Sequence, residues 1–223
     1  MNLFHVFVGA LIGAAWPLWS RMRNTIFLPQ VDLGYEIHEA LSYNSTTGLF
    51  TFRNIRYAQA PVGTLRHAPP VAPTGINSEV QKGNESRICP QPGLDENQSV
   101  QLSGTTEDCL FLNILVPRNI FNKRGSCKAD VALHFVMANE VPGTLIDKES
   151  RLGEGLGGYV FVSANYRLGS LGQLESSLAE KLGGDCENLG CLDRDLALEW
   201  VRKYIHLFGG DAERVYTMKT SWS

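Results

Sequence analysis

The sequence predicts an α/β protein in which N-terminal antiparallel strands lead into a mainly parallel sheet, with a βαβ unit at residues 159–218. Three observations predict it. Tyr159-Val-Phe-Val-Ser-Ala-Asn-Tyr166 is a β-branched and aromatic run, the pattern of a buried strand. From Leu192, apolar residues recur at Leu196, Ala197, Trp200, Val201, Tyr204, Ile205 and Phe208, the spacing of an amphipathic helix. Arg214-Val-Tyr-Thr-Met218 then starts a second strand. A strand, a crossover helix and a parallel strand make one βαβ unit. Chemistry in such sheets sits just past the carboxyl end of a strand.

The earlier elements follow the same logic. Val31 to Leu41 and Gly48 to Arg53 read as an antiparallel hairpin turning through Ser45-Thr-Thr-Gly48. Residues 57–98 are rich in proline, glycine and polar residues, which predicts an extended surface loop. Leu110-Phe-Leu-Asn-Ile-Leu-Val116 is a strand ended by Pro117, and Val131 to Val136 is another. Gly209-Gly210 closes the helix, because glycine takes the left-handed conformation that a helix C-terminus requires.

With 223 residues and 43% hydrophobic content, the chain can bury a sizeable core. A net charge of -3 without a Lys/Arg cluster argues against nucleic acid as a partner. Residues 1–20 are set apart: Leu3 to Trp19 carries no formal charge, and Pro17 and Ser20 close the run before Arg21-Met-Arg23. The run is short for a membrane span and reads as a secretory signal, with an N-terminal anchor as the alternative. Asn44-Ser-Thr46, Asn84-Glu-Ser86 and Asn97-Gln-Ser99 are N-glycosylation sequons in polar, turn-rich stretches. The five cysteines, Cys89, Cys109, Cys127, Cys186 and Cys191, lack metal-site spacing, so no metal or cofactor is expected. A secreted chain pairs some of them, and an odd count leaves at least one over.

Five blocks then carry a resemblance. Phe52-Arg-Asn-Ile-Arg-Tyr-Ala58 with Ala60-Pro-Val-Gly63 and Leu65-Arg66 resembles the entry segment of the carboxylesterase type B family of esterases, cholinesterases and fungal lipases. Glu107-Asp-Cys-Leu-Phe-Leu-Asn113 is similar to its second signature. Asn165-Tyr-Arg-Leu-Gly169, Asn188-Leu-Gly190 with Leu192-Asp193, and Phe208-Gly-Gly-Asp211 follow in the family's order. The resemblance covers nearly the whole chain but only the N-terminal part of the family's domain. It implies an incomplete α/β-hydrolase fold over residues 21–223 that stops at the nucleophile turn.

The resemblance also implies roles. Cys89 and Cys109 fall where the family forms a disulfide. Arg66 with Glu107, and Arg167 with Asp193, match positions of buried ion pairs. The family hydrolyses carboxylic esters with a Ser–His–Glu/Asp triad whose serine sits in Gly-x-Ser-x-Gly, a tight strand-to-helix turn. An ungapped match puts Ser221 on the nucleophile, but Lys219 and Ser223 replace the two glycines and Trp222 replaces the usual small residue. Side chains at both glycine positions collide with the turn. Ser221 is then either a degenerate nucleophile or an ordinary serine, and the steric argument favours the second. The oxyanion-hole glycine run expected after Val136 is replaced by Met137-Ala138-Asn139 and Glu140-Val-Pro142, with no glycine pair before Gly157-Gly158.

The triad's acid and histidine lie C-terminal to its serine in this family. None of His5, His38, His67, His134 and His206 matches the catalytic position, and each reads as a core or surface residue. The expectation is a secreted family member, with ester hydrolysis as ancestral chemistry and no activity as this truncated chain. A small-molecule or lipid ester would be the substrate of a full-length form, and no stable membrane span is expected. The alternative is a non-catalytic, esterase-like binding or adhesion module. A working esterase that uses Ser221 with an improvised base has the least physical support.

Overall fold

The structure is a computed structural model that describes residues 27–85, 87–90, 105–126, 128–135, 158–173 and 188–218. Two sheets form the frame. The smaller joins β1 (Gln30–Asp32), β2 (Glu36–Glu39) and β5 (Asn77–Gln81) in the order β1-β2-β5. The larger joins β3 (Ser42–Asn44), β4 (Leu49–Arg56), β6 (Phe111–Pro117), β7 (Ala129–Phe135), β8 (Tyr159–Ala164) and β9 (Gly210–Met218) in the order β3-β4-β6-β8-β7-β9. Strands β3, β4, β6 and β8 pair antiparallel in turn, whereas β7 runs parallel to both β8 and β9. The expected passage from antiparallel to parallel strands therefore falls at β8.

The central strands form where their residues can be buried on both faces. Every residue of β6 is buried, as are all of β8 after Tyr159, so neither strand needs a polar alternation. Between them and the helix side lies an aromatic cluster: Phe52 meets Phe208 edge-on at 5.1 Å and Phe121 at 5.7 Å, and Phe50 meets Phe121 at 5.6 Å. Burying each such ring contributes roughly 1.5–3 kcal/mol. Phe121 comes from the short helix α1 (Arg118–Asn122), which starts directly after Pro117. Proline has no amide hydrogen to lend to a continuing ladder, so the strand ends there.

Helix α2 spans Leu189–Tyr204 and presents Leu189, Asp193, Ala197, Trp200 and Val201 on its buried side. Asn188 caps it, its side-chain oxygen accepting from the Cys191 amide at 2.8 Å. A 3-10 turn over Ile205–Phe208 follows, and Gly209 closes it at φ +90. A Cβ at Gly209 would lie 2.8 Å from Ile120 Cγ2, so packing as well as conformation requires glycine there. Gly210 already belongs to β9, which starts four residues earlier than the sequence pattern indicated. The βαβ unit is present, but its two strands are not neighbours, because β7 lies between β8 and β9.

Two expectations are corrected. Val31 to Leu41 is not one arm of a hairpin. It breaks at Gly34 (φ +84), whose amide donates to Asp32 Oδ1 at 2.7 Å, and again before β3. The hairpin partner of β4 is the short β3 alone, with Asn44 Oδ1 accepting from the Thr46 and Thr47 amides in the turn. Residues 57–98 are not wholly loop either, since β5 runs parallel to β2. Four of its five residues are exposed, so no apolar pattern marked it. The segments 1–20 and 137–157 lie outside the described residues.

Candidate functional site

The parallel strands end level with one another. Phe135 of β7 is in register with Ala164 of β8, and His134 is in register with both Ser163 and Met218 of β9. This carboxyl edge is where a parallel sheet holds its chemistry. The chain leaving β8, Asn165-Tyr166-Arg167, is fixed by bonds from four separate segments.

Asn165 is buried and its backbone amide donates to Phe111 O at 3.0 Å. Its side-chain Nδ2 donates to Arg87 O at 2.8 Å and Cys109 O at 3.2 Å. Its carbonyl accepts from the Tyr57 hydroxyl at 2.6 Å. Burial raises the Tyr57 phenol well above its ordinary pKa, and the Asp193 carboxylate adds to that rise. Tyr57 therefore remains a neutral hydrogen-bond donor.

Arg167 sits next to it. Nε and the backbone amide of Arg167 donate to Asp193 Oδ2 at 2.9 and 3.0 Å, and Nη2 donates to Oδ1 at 2.7 Å. Nη1 reaches Arg66 O at 3.1 Å and Ala68 O at 2.9 Å. The guanidinium and carboxylate are 2% and 0% exposed, so every charged atom needs its partner. Arg66 and Glu107 also meet, Nε to Oε2 at 2.6 Å, but their side chains are 47% and 32% exposed. The expectation of burial fails for that pair, which lies at the surface end of the same frame. Solvent screening leaves such a pair about 0–1 kcal/mol.

Close backbone packing locks α2 to this corner. An added Cβ at Gly190 would lie 2.4 Å from Arg167 O, which explains glycine at the second residue of the helix. Arg194 reaches from the helix over the Tyr166 ring at 5.5 Å and the Phe135 ring at 5.9 Å. Thus the ends of β7 and β8 and the start of α2 share one set of contacts.

Cys89 and Cys109 form a disulfide with Cα atoms 4.9 Å apart, and Cys191 is also disulfide-bonded. Asn44 and Asn84 are exposed. His38 and His134 are buried, whereas His67 and His206 are exposed. His38 Nε2 lies 2.7 Å from Glu36 Oε1 in the small sheet, where no strand end of the parallel set joins it. Lys219, Ser221, Ser223, Asn97, His5, Cys127, Cys186 and Gly157 of the Gly157-Gly158 pair lie outside the described residues. Among the described residues no group of three His, Cys, Asp or Glu is placed to hold a metal ion, and no helix is long and apolar enough to cross a membrane.

Sequence reasoning missed one cluster. Asp108 accepts from Arg56 Nη1 and Nη2 at 2.7 and 2.9 Å and from Arg87 Nη1 at 3.0 Å. Both guanidiniums also cover the Phe111 ring, at 4.3 and 5.5 Å. Arg56 and Asp108 lie within the two entry motifs, but their pairing is long-range and leaves no local signal.

Level parallel strand ends, a buried ion pair just past the end of β8 and a helix returning to the sheet fit the α/β-hydrolase class of chain. The match to known proteins agrees. The model of the carboxylesterase family matches residues 39–221. Carboxylesterase patB of Aspergillus clavatus is 35% identical over 241 residues, covering 87% of this chain and 43% of that protein. Mouse (Mus musculus) thyroglobulin is 34% identical over 168 residues, covering 75% of this chain and 6% of its own. The crystal structure of Aspergillus niger EstA superposes with a TM-score of 0.65 at 33% identity, covering 85% of this chain and 35% of that one. The chain belongs to the carboxylesterase family. It spans less than half the length of the carboxylesterase it matches.

Proposed function

We propose that this chain is the N-terminal scaffold of a carboxylic ester hydrolase and that, as written, it does not turn over esters by itself. The level ends of β7, β8 and β9, with the buried Arg167–Asp193 pair just past β8, carry the first part of the reading. They provide the rigid edge on which a serine hydrolase presents its nucleophile, and a relative of this chain is named a carboxylesterase. Ser221 matches the nucleophile position, and small-molecule or lipid esters are the substrate class. Lys219 and Ser223, standing where the turn needs glycine, support the second part.

The experiment is hydrolysis of a short-chain nitrophenyl ester by the purified chain. The expected rate equals that of the Ser221→Ala variant. A rate that falls on that substitution would overturn the inactive reading.

One observation favours a second reading, a non-catalytic esterase-like binding module. The described scaffold keeps its buried ion pair and its disulfide while the residues around Ser221 depart from the family's turn. A monodisperse, cooperatively melting product without turnover supports this reading. Aggregation of the purified chain counts against it.

We also infer a secretory route, with residues 1–20 as the signal or, alternatively, an anchor. The Cys89–Cys109 disulfide and the exposed sequon residues Asn44 and Asn84 support it, since disulfides persist in oxidising compartments. Asn97 completes the set of proposed glycan sites.

A further inference from the structure

A polar cavity of about 260 Å³ opens where β2, β4 and β5 meet the chain that follows β5, lined by Glu36, Asn54, Gln81, Lys82, Asn84 and Arg87 among others. One residue shapes its rim. Asn54 sits in the irregularity of β4 between Phe52 and Ile55 with φ +53, a conformation few residues other than glycine adopt. Its amide Nδ2 donates to Gly83 O at 3.3 Å and to Glu85 O, so a single side chain holds the carbonyls on both sides of Asn84. Gly83 itself lies at φ +62, and a Cβ there would stand 2.0 Å from Arg53 O. The loop is thus pressed onto β4, with exposed Asn84 held at the cavity mouth.

The charges around the cavity already have partners. Arg87 pairs with Asp108 and Glu85, and Glu36 lies against His38 and accepts from the Arg56 amide. Gln81 Nε2 donates to Glu79 O at 3.0 Å and Lys82 Nζ lies 3.9 Å from Glu39 Oε1, which leaves the second amide proton and the oxygen of Gln81, the further ammonium protons of Lys82 and the second oxygen of Glu36 as hydrogen-bonding capacity. That suits a neutral, polyhydroxylated group better than an ion.

We propose that Asn84 carries an N-linked glycan whose first N-acetylglucosamine seats in this cavity and braces β2, β4 and β5. The proposal rests on the secretory reading above. In the transfer, Asn84 Nδ2 bonds to the sugar's anomeric carbon as that carbon's bond to a lipid-pyrophosphate donor breaks. One amide proton is released, and the lipid pyrophosphate leaves. Ser86 completes the acceptor sequence.

The test uses the chain secreted from a eukaryotic host, with Asn44 as internal control. Peptide mass spectrometry first reads occupancy at both asparagines. Trimming every glycan to one N-acetylglucosamine is expected to leave the melting temperature unchanged, whereas removing that last sugar lowers it by about 2–4 °C. Ser86→Ala is expected to melt like the fully deglycosylated protein. Gln81→Phe, which fills the cavity and keeps the sequon, is expected to erase the difference between trimmed and sugar-free forms.

An occupied Asn84 whose last sugar can be removed without a change in melting overturns the seating and leaves the secretory reading standing. An empty Asn84 beside an occupied Asn44 overturns the proposal in the same way. Two empty asparagines overturn both.

Discussion

Arg167 and Asp193, one leaving β8 and the other on α2, meet as a bidentate pair at 2.9 and 2.7 Å with both side chains almost wholly buried. The guanidinium also holds the Arg66 and Ala68 carbonyls, so one charge ties two segments, α2 and residues 66–68, to the end of β8. Asp193→Ala leaves that charge buried and unpaired and is expected to cost about 3–5 kcal/mol. Urea unfolding of the two proteins measures the loss. A cost below about 1 kcal/mol would mean that the pair does not anchor the helix.

Gly190→Ala tests the same corner by size alone. The new methyl would start 2.4 Å from Arg167 O, a backbone atom that cannot swing aside. Overpacking of this kind costs about 1–3 kcal/mol, although alanine is the better helix former. Thermal melting is expected to fall. A rise in melting temperature would show that α2 and the Arg167 segment are less tightly apposed.

Tyr57 gives the pH dependence. Its hydroxyl donates to Asn165 O, and burial raises its folded-state pKa above the ordinary 10.0. The unfolded chain therefore releases this proton first. Tyr57's contribution is whole below pH 10 and declines as pH climbs above it. Tyr57→Phe is expected to cost about 1–3 kcal/mol at neutral pH, from the unpaired carbonyl, and to flatten the alkaline decline. Unfolding curves at neutral and alkaline pH check both effects, and an unchanged alkaline slope would remove Tyr57 as its source.

The Cys89–Cys109 disulfide closes a loop with a sequence separation of 20. A loop of that size constrains the unfolded chain by roughly 3 kcal/mol. The double variant Cys89→Ser/Cys109→Ser is expected to unfold at correspondingly lower urea. Equal midpoints would show that the bridge gives no net stability.

The parts of the fold legible in the sequence are those whose burial writes a pattern. Strands β6, β7 and β8 stand in the sheet interior and read as apolar runs, and the buried stripe of α2 repeats at helical spacing. Strand β5 is mostly exposed, so nothing distinguished Asn77 to Gln81 from loop. The break at Gly34 was hidden because the residues on both sides still favour strand. Asp193 lies on the helix's buried face, and only the family resemblance assigned it a partner, since Arg167 is 26 residues away. The Arg56–Asp108–Arg87 cluster had no such guide. Contacts separated by 52 and 21 residues depend on the finished fold rather than on any local rule.

The most direct measurement is covalent trapping. The purified chain is treated with an alkyl phosphonate, alongside a carboxylesterase whose serine is flanked by glycine on both sides, and both are weighed intact. The expected result is an adduct on the control enzyme and none on this chain. An adduct mapped to Ser221 would contradict the account, because it would show that Lys219 and Ser223 still allow the hydroxyl to attack.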